Sequence, residues 1–331
     1  MATLPAAGVY TLSDFGKSLD PDGGVARVIK MLSQTNEVLS DAPAIEGNLP
    51  TGHQITQETA LPAVYYRQIN QGVAPGVAKT AQITEQTAIL EARSQIDINL
   101  ANLNGNSAAW RISRTGRHME AMNQTMTTTL MYGNGGTTPS EFSGFSVRYS
   151  SLSAGNGGNI IDAGGTGSDN SSIWMIGWGM ETAHLIYPKG SQGGIQHKDL
   201  GEQDAFDSNN LRFRALMDWW QWQNGLALPD WRYVVRIANI DISNLVAQSS
   251  NADLIEKMIV ATHGIPFLTQ CKPVFYMNRT VFSMLDIQRR NDVIAGGGIK
   301  YENVDGVATS TFRGIPVRKL DALTETEARV V

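Results

Sequence analysis

Between residues 48 and 103 the chain carries a long stretch that cannot build a core of its own. Ala81–Gln95 is mostly Thr, Gln, Glu and Ala. Strand-like segments are predicted at Ala63–Ile69 and Gln82–Leu103, flanking the turn Gln71-Gly72-Val73-Ala74-Pro75-Gly76. Ile96, Ile98 and Leu100 alternate with Asp97, Asn99 and Ala101, the period-two signature of a half-buried strand. A polar two-stranded excursion is marginal by itself. Something outside the chain's own core must therefore stabilise it.

The rest of the chain is organised around this excursion. Residues 1–24 form an irregular arm rich in Gly, Pro and Asp, expected to lie on a neighbouring subunit. Val25, Val28, Ile29, Leu32 and Leu39 mark one helical face, stopped at Asp41-Ala42-Pro43 because proline restricts the residue before it. Asn104-Gly105-Asn106-Ser107 supplies caps for a long helix over Ala108–Tyr132. Ile112, Met119, Met122, Met126 and Leu130 share one of its faces, while Arg111, Arg114 and Arg117 lie on others. Gly133-Asn134 ends it, with glycine expected in the left-handed cap conformation.

Beyond that stop, six of the seven tryptophans fall between Trp174 and Trp231. Ile173–Trp178 and His184–Tyr187 read as buried strands. Leu211, Phe213, Ala215, Met217 and Trp219 suggest a strand pairing through Asn224-Gly225 with Trp231–Ile237. Ala252–His263 reads as a helix capped by Asn251 and ended by Gly264 and Pro266. Arg279–Arg289 also looks helical, and Gly296-Gly297-Gly298 breaks that pattern. Asp305-Gly306 signals a hairpin whose second strand carries Phe312-Arg313-Gly314-Ile315-Pro316-Val317.

Composition narrows the function. Charged residues are 17% of the chain, against about 25% in typical domains. Charge is depleted at interface centres, so this balance fits a subunit buried against neighbours; a secreted β-rich protein shows the same balance. A net charge of −5 without a basic tail argues against a broad grip on DNA phosphates. One cysteine excludes an intrachain disulfide framework. The start Met1-Ala2-Thr3-Leu4-Pro5 lacks a signal-peptide pattern and no window is long and apolar enough to span a membrane, so folding in a reducing cytoplasm is expected.

No catalytic, cofactor-binding or metal-binding residue is assigned. Gly16-Lys17-Ser18 lacks the earlier glycine of a phosphate loop, with Thr11 in its place. His53, His118, His184, His197 and His263 show no paired helical spacing for zinc. Cys271 reads as a small buried hydrophobe despite Lys272 beside it. Asp20-x-Asp22-Gly23 lacks the rest of a calcium loop. The Trp219-Trp220-x-Trp222 cluster has two readings, a structural strand and a stacking platform for sugars.

Several runs, in order, resemble the major capsid proteins of tailed bacteriophages, with the Hong Kong 97-like capsid fold. Leu130-Met131-Tyr132-Gly133-Asn134, Pro139-Ser140-Glu141-Phe142-Ser143-Gly144 and Arg148-Tyr149 resemble the end of that family's spine helix. Asn159–Gly165 with Ser172-Ile173-Trp174, Tyr187-Pro188-Lys189-Gly190-Ser191 and Phe312-Arg313-Gly314-Ile315-Pro316 are similar to further runs of the group. The resemblance implies an α+β fold with these parts: N-terminal arm 1–24, a short peripheral helix within 25–47 and an extended hairpin loop 48–103. It further implies a spine helix 104–133, an axial domain 134–269, and a return of 270–331 to the peripheral domain.

It also implies a non-enzymatic coat protein forming pentamers and hexamers of an icosahedral head around double-stranded DNA. Expected partners are copies of itself, a separate scaffolding protein, a portal protein and a decoration protein. DNA contact would be weak and nonspecific, no membrane partner is expected, and assembly would occur in the host bacterial cytoplasm. Arg67, Glu85, Glu91 and Arg93 are expected intersubunit pairs. The alternatives are a cellular shell-forming compartment protein of the same fold, and a glycan- or receptor-binding β-protein using Trp219–Trp231.

Overall fold

A computed structural model describes residues 34–102, 107–207, 209–247, 253–291, 300–304 and 307–331. The predicted arm 1–24, most of the helix predicted from Val25, the cap residues Asn104–Asn106, Asn251, Gly296–Gly298 and Asp305-Gly306 lie outside them. The chain forms two compact units. The larger comprises residues 35–88, 127–191 and 224–331; the smaller includes 89–126 and 192–223.

The first elements are helix α1 (Val38–Asp41), β1 (Ala44–Glu46), β2 (Gly52–Ala60), β3 (Lys79–Asp97), α2 (Ile98–Ala101) and the long helix α3 (Ser107–Tyr132). After α4 (Phe145–Arg148) come β4 (Ile160–Asp162), β5 (Asn170–Trp178), β6 (His184–Tyr187), β7 (Ile195–Phe206) and β8 (Arg212–Ala227). The chain continues with β9 (Val234–Asp241), α5 (Ile242–Val246), α6 (Leu254–Gly264), β10 (Lys272–Met277) and α7 (Arg279–Asn291). Strands β11 (Lys300–Val304), β12 (Val307–Phe312) and β13 (Ile315–Lys319) follow.

Seven strands in the order β11-β12-β13-β10-β5-β9-β4 form the central sheet of the larger unit. All nine residues of β5 are buried, so both of its faces are covered. Alternation divides them. Ile173 and Met175 join Val235, Phe275, Met258 and Leu285 in one hydrophobic cluster, to which α6 and α7 contribute. On the other face Trp174 and Trp178 each pack about 6.0 Å from Phe145. Trp178 Nε1 donates to Tyr276 Oη at 2.9 Å, satisfying a polar group that burial would otherwise leave unpaired. Strands from 270–319 and from 160–241 thus share one sheet, and a boundary at 269 falls inside it.

A second sheet has the order β1-β6-β8-β3-β2, with β7 on β8. In the larger unit β2 and β3 pair antiparallel from Gly52↔Gln86 to Glu58↔Thr80, with β2 at the sheet edge. In the smaller unit β7 and β8 pair antiparallel from Ile195↔Trp222 to Phe206↔Arg212. No helix among the described residues is long and apolar enough to cross a membrane.

Several expectations need correction. Ala63–Ile69 is not a strand, because its apolar residues find no partner; the first hairpin strand is Gly52–Ala60. The alternation at Ile96–Ala101 does not continue a strand. Asp97 accepts from Asn99 N and starts α2 instead. Asn224-Gly225 is not a turn: β8 runs straight through it and pairs with β7 and β6, not with Trp231–Ile237. Gly225 serves close approach, since a Cβ there would lie 2.7 Å from Gln86 O. Gly133 is likewise not left-handed; a Cβ would meet Thr129 O at 2.5 Å and Phe142 O at 2.6 Å.

Helix α6 is capped by Asp253, whose side chain accepts from Glu256 N. Phe312–Val317 is not one strand, because Arg313 (φ 53°) and Gly314 (φ 83°) form a two-residue turn between β12 and β13. On α3, Met122, Met126 and Leu130 are buried as expected, whereas Met119 is exposed. Ile112 and Arg114 lie outside the described side chains.

Candidate assembly interface

The hairpin β2–β3 is fixed at its root and free at its tip. At the root, a Cβ on Gly52 would lie 2.0 Å from Glu85 O, so only glycine lets the strands pass there. Ile55 packs with Ile186 and Ala227. Gln57 Nε2 donates to Pro229 O at 2.6 Å. Arg148 grips Glu85 bidentately, Nη1 to Oε1 at 2.5 Å and Nη2 to Oε2 at 2.7 Å. Planar fork-to-carboxylate pairing of this kind fixes orientation as well as energy.

Beyond Ala60 nothing among the described residues covers the hairpin. Seven large apolar side chains, Leu61, Val64, Tyr65, Tyr66, Ile69, Val73 and Val77, are exposed between residues 61 and 78, Tyr66 and Ile69 at 109% and 89%. An apolar segment this long left in water marks an interaction surface rather than ordinary surface scatter.

The expected intersubunit charges divide accordingly. Glu85 is 8% exposed and is held by Arg148 of its own chain, so it is an internal anchor. Glu91 and Arg93 lie 3.8 Å apart on the same strand, and Glu91 also accepts from Gln221 Nε2 at 2.9 Å. Arg67 sits in the exposed tip and makes no ion pair among the described residues.

The C-terminal segment is clasped into the larger unit by a pair of residues far apart in the chain. Arg236 and Glu327 side chains are 3% and 4% exposed and 2.8 Å apart. Arg236 also donates Nε to Ser172 Oγ at 3.0 Å and Nη1 to Tyr149 O at 2.8 Å. Ser172 donates to Glu327 Oε2 as well, and Tyr132 at the end of α3 donates to Oε1 at 2.5 Å. Burial and the Glu327 carboxylate push the Tyr132 phenol well above its ordinary range, so it remains a donor. Asn239, left-handed at φ 60°, holds Val330 through both its backbone N–H and its carbonyl.

In the smaller unit Arg111 bridges Asp199 and Asp218, each at 2.8 Å. Trp220 is buried between His118 and His197, stacked at centroid distances of 4.6 and 5.0 Å. Trp219 lies on the strand face opposite Trp220 and Trp222, and Trp220 is buried, so the three rings do not form one exposed platform for sugars. The structural reading of these tryptophans fits the geometry.

Among the described residues no group of three His, Cys, Asp or Glu could hold a metal ion. Burial pushes the Cys271 thiol up to about 11, the opposite of an activated nucleophile.

Comparison with solved structures places this geometry. A chain from the near-atomic-resolution structure of bacteriophage Epsilon15 aligns with a TM-score of 0.80, over 100% of this chain and 99% of that one, with 30% identity. The capsid of bacteriophage JBD30 gives a TM-score of 0.47 at 11% identity, over 90% and 95% of the two chains. Among curated protein sequences none matches. Residues 20–331 match the family described as Major capsid protein GP7. With that family spanning nearly the whole sequence, and a phage relative alike in both fold and sequence, the chain belongs to the Major capsid protein GP7 family.

Proposed function

We propose that this tailed-phage major capsid protein assembles its shell by laying the β2–β3 hairpin across an adjacent subunit. The observation that carries this reading is the tip: seven exposed apolar side chains on a segment with no core of its own, held out by an anchored root. Ordering such a segment on a neighbour offsets its conformational entropy by burying interface area. Repeating that contact in every subunit yields a stable shell from individually weak contacts.

In this reading α3 is the spine helix and the seven-stranded sheet with α6 and α7 is the axial domain, which then takes in most of 270–331 as well as 134–191. The smaller unit, with β7, most of β8 and much of α3, belongs to the peripheral domain. Subunits group as pentamers and hexamers of an icosahedral head around double-stranded DNA. The acidic balance of −5 supports weak, nonspecific contact with that DNA. A separate scaffolding protein, a portal protein and a decoration protein are its proposed partners, with assembly in the host bacterial cytoplasm. The protein's role is structural and non-enzymatic.

Expressing the chain with and without candidate scaffolding proteins, followed by sedimentation and negative-stain electron microscopy, tests the proposal. Capsomer rings or closed shells are expected. A strictly monomeric folded protein under every condition would overturn it.

A further inference from the structure

Beside the hairpin root, the larger unit carries an open groove of about 900 Å³. One side is β2, from His53 to Ala60, with Leu61 just beyond it; the other is formed by Met180, Glu181 and the Pro229–Arg232 turn. Met180 and Trp231 expose apolar surface there, at 70% and 39%. Because β2 is an edge strand, its outer backbone groups are open to pairing with an extended segment.

The structure points to an occupant: we propose that the hairpin tip, residues 61–78, of a second copy seats in this groove. This rests on the reading of the hairpin as an intersubunit element and adds where on the neighbour it lands. The tip has the right form, since residues 61–68 are free of regular structure and carry Val64, Tyr65 and Tyr66 into solvent. In its own chain these side chains are exposed, so the tip does not fill the groove beside it.

Charge selects the same occupant. Asp230 is paired with Arg232 at 2.7 Å, which leaves Glu58 and Glu181 as the groove's uncompensated charges. Neither makes an ion pair among the described residues. Arg67 is the only charged residue between Leu61 and Ala78. A segment carrying one positive charge is therefore drawn to a groove carrying two negative ones. The N-terminal stretch 1–24, by contrast, carries Asp14, Asp20 and Asp22 against Lys17 in its sequence, a net charge that this groove would repel. Apolar seating and edge pairing supply the affinity, and the charges set the choice of segment and its direction.

Cross-linking in assembled particles tests the inference. The chain has one cysteine, Cys271, half-buried with burial pushing its thiol up to about 11, so it reacts slowly at neutral pH and the single variants serve as its control. The double variant Tyr66→Cys/Met180→Cys should convert most of the protein into disulfide-linked multimers on non-reducing gels, whereas either single substitution should not. A bond within one chain, or closed shells with no bond between positions 66 and 180, would overturn the groove assignment while leaving the intersubunit hairpin intact.

A second measurement is independent of assembly. A synthetic peptide of residues 61–78 titrated into the full-length subunit should shift Trp231 emission, and Arg67→Glu in the peptide should weaken binding about fivefold. A Trp231→Phe subunit should lose the signal. Binding that is absent, or indifferent to Arg67, would overturn the proposal. Absence of shells with intact peptide binding would instead count against the hairpin's role in assembly.

Discussion

Glu327→Ala is the perturbation with the largest calculable effect on the fold. It removes the carboxylate that Arg236, Ser172 and Tyr132 all address, in a site where both charged side chains are nearly fully buried. Arg236 would keep its bonds to Ser172 and Tyr149 O but carry an uncompensated buried charge. Breaking a buried pair by removing one partner costs about 3–5 kcal/mol. That is a large share of a total stability of about 5–15 kcal/mol. With a urea m-value of about 3 kcal/mol/M, the unfolding midpoint should fall by about 1–2 M.

The assay is urea unfolding of the unassembled subunit followed by circular dichroism. The double variant Arg236→Met/Glu327→Leu should regain most of the loss, because well-packed apolar replacements are often neutral where a lone buried charge is not. A midpoint for Glu327→Ala unchanged within error would refute the reasoning. So would a double variant as unstable as the single.

Three further outcomes are expected. Glu85→Gln should weaken the hairpin root by about 1–3 kcal/mol, because it leaves the Arg148 fork without its charged acceptor, and faster hydrogen exchange in β2 would report it. Cys271, with its thiol near 11 rather than the ordinary 9.0, should react with iodoacetamide at pH 8 about 100-fold more slowly than an unperturbed cysteine. Burial, with His53 beside it, holds His184 below its ordinary value; the stability this neutral imidazole confers is present above pH 6.5 and lost as pH falls through its lower folded value. His184→Gln should flatten that acid-side loss in thermal unfolding scans.

The fold was legible where pattern and burial agree. The all-buried run of β5, the amphipathic end of α3 and the second, polar strand of the hairpin follow directly from the residue pattern. Elsewhere a local signal had a different cause. Gly225 and Gly133 look like turn and cap residues, yet each is required by a backbone passing within 3 Å of where its Cβ would be. Val64, Tyr65, Tyr66 and Ile69 have strand propensity but no strand, since propensity expresses fit to a partner surface that the single chain does not supply.

The interface was read in outline and missed in detail for the same reason. Glu85 looked like a surface charge because its partner Arg148 lies 63 residues away. Arg236 and Glu327 are 91 residues apart, and no local pattern announces a pair at that distance. One missed cap was visible: Asp253 stands three residues before Glu256, the spacing of a capping box.

The most direct measurement removes the tip alone. Replacing residues 62–77 with a short Gly-Ser link spares the β2–β3 pairs and the Glu85–Arg148 anchor, which a wider excision would destroy. Sedimentation and negative-stain microscopy should then show a folded subunit with an unchanged circular dichroism spectrum that forms no shells, beside an intact chain that does. Closed shells of normal size and yield from the excised chain would contradict the role assigned to the hairpin.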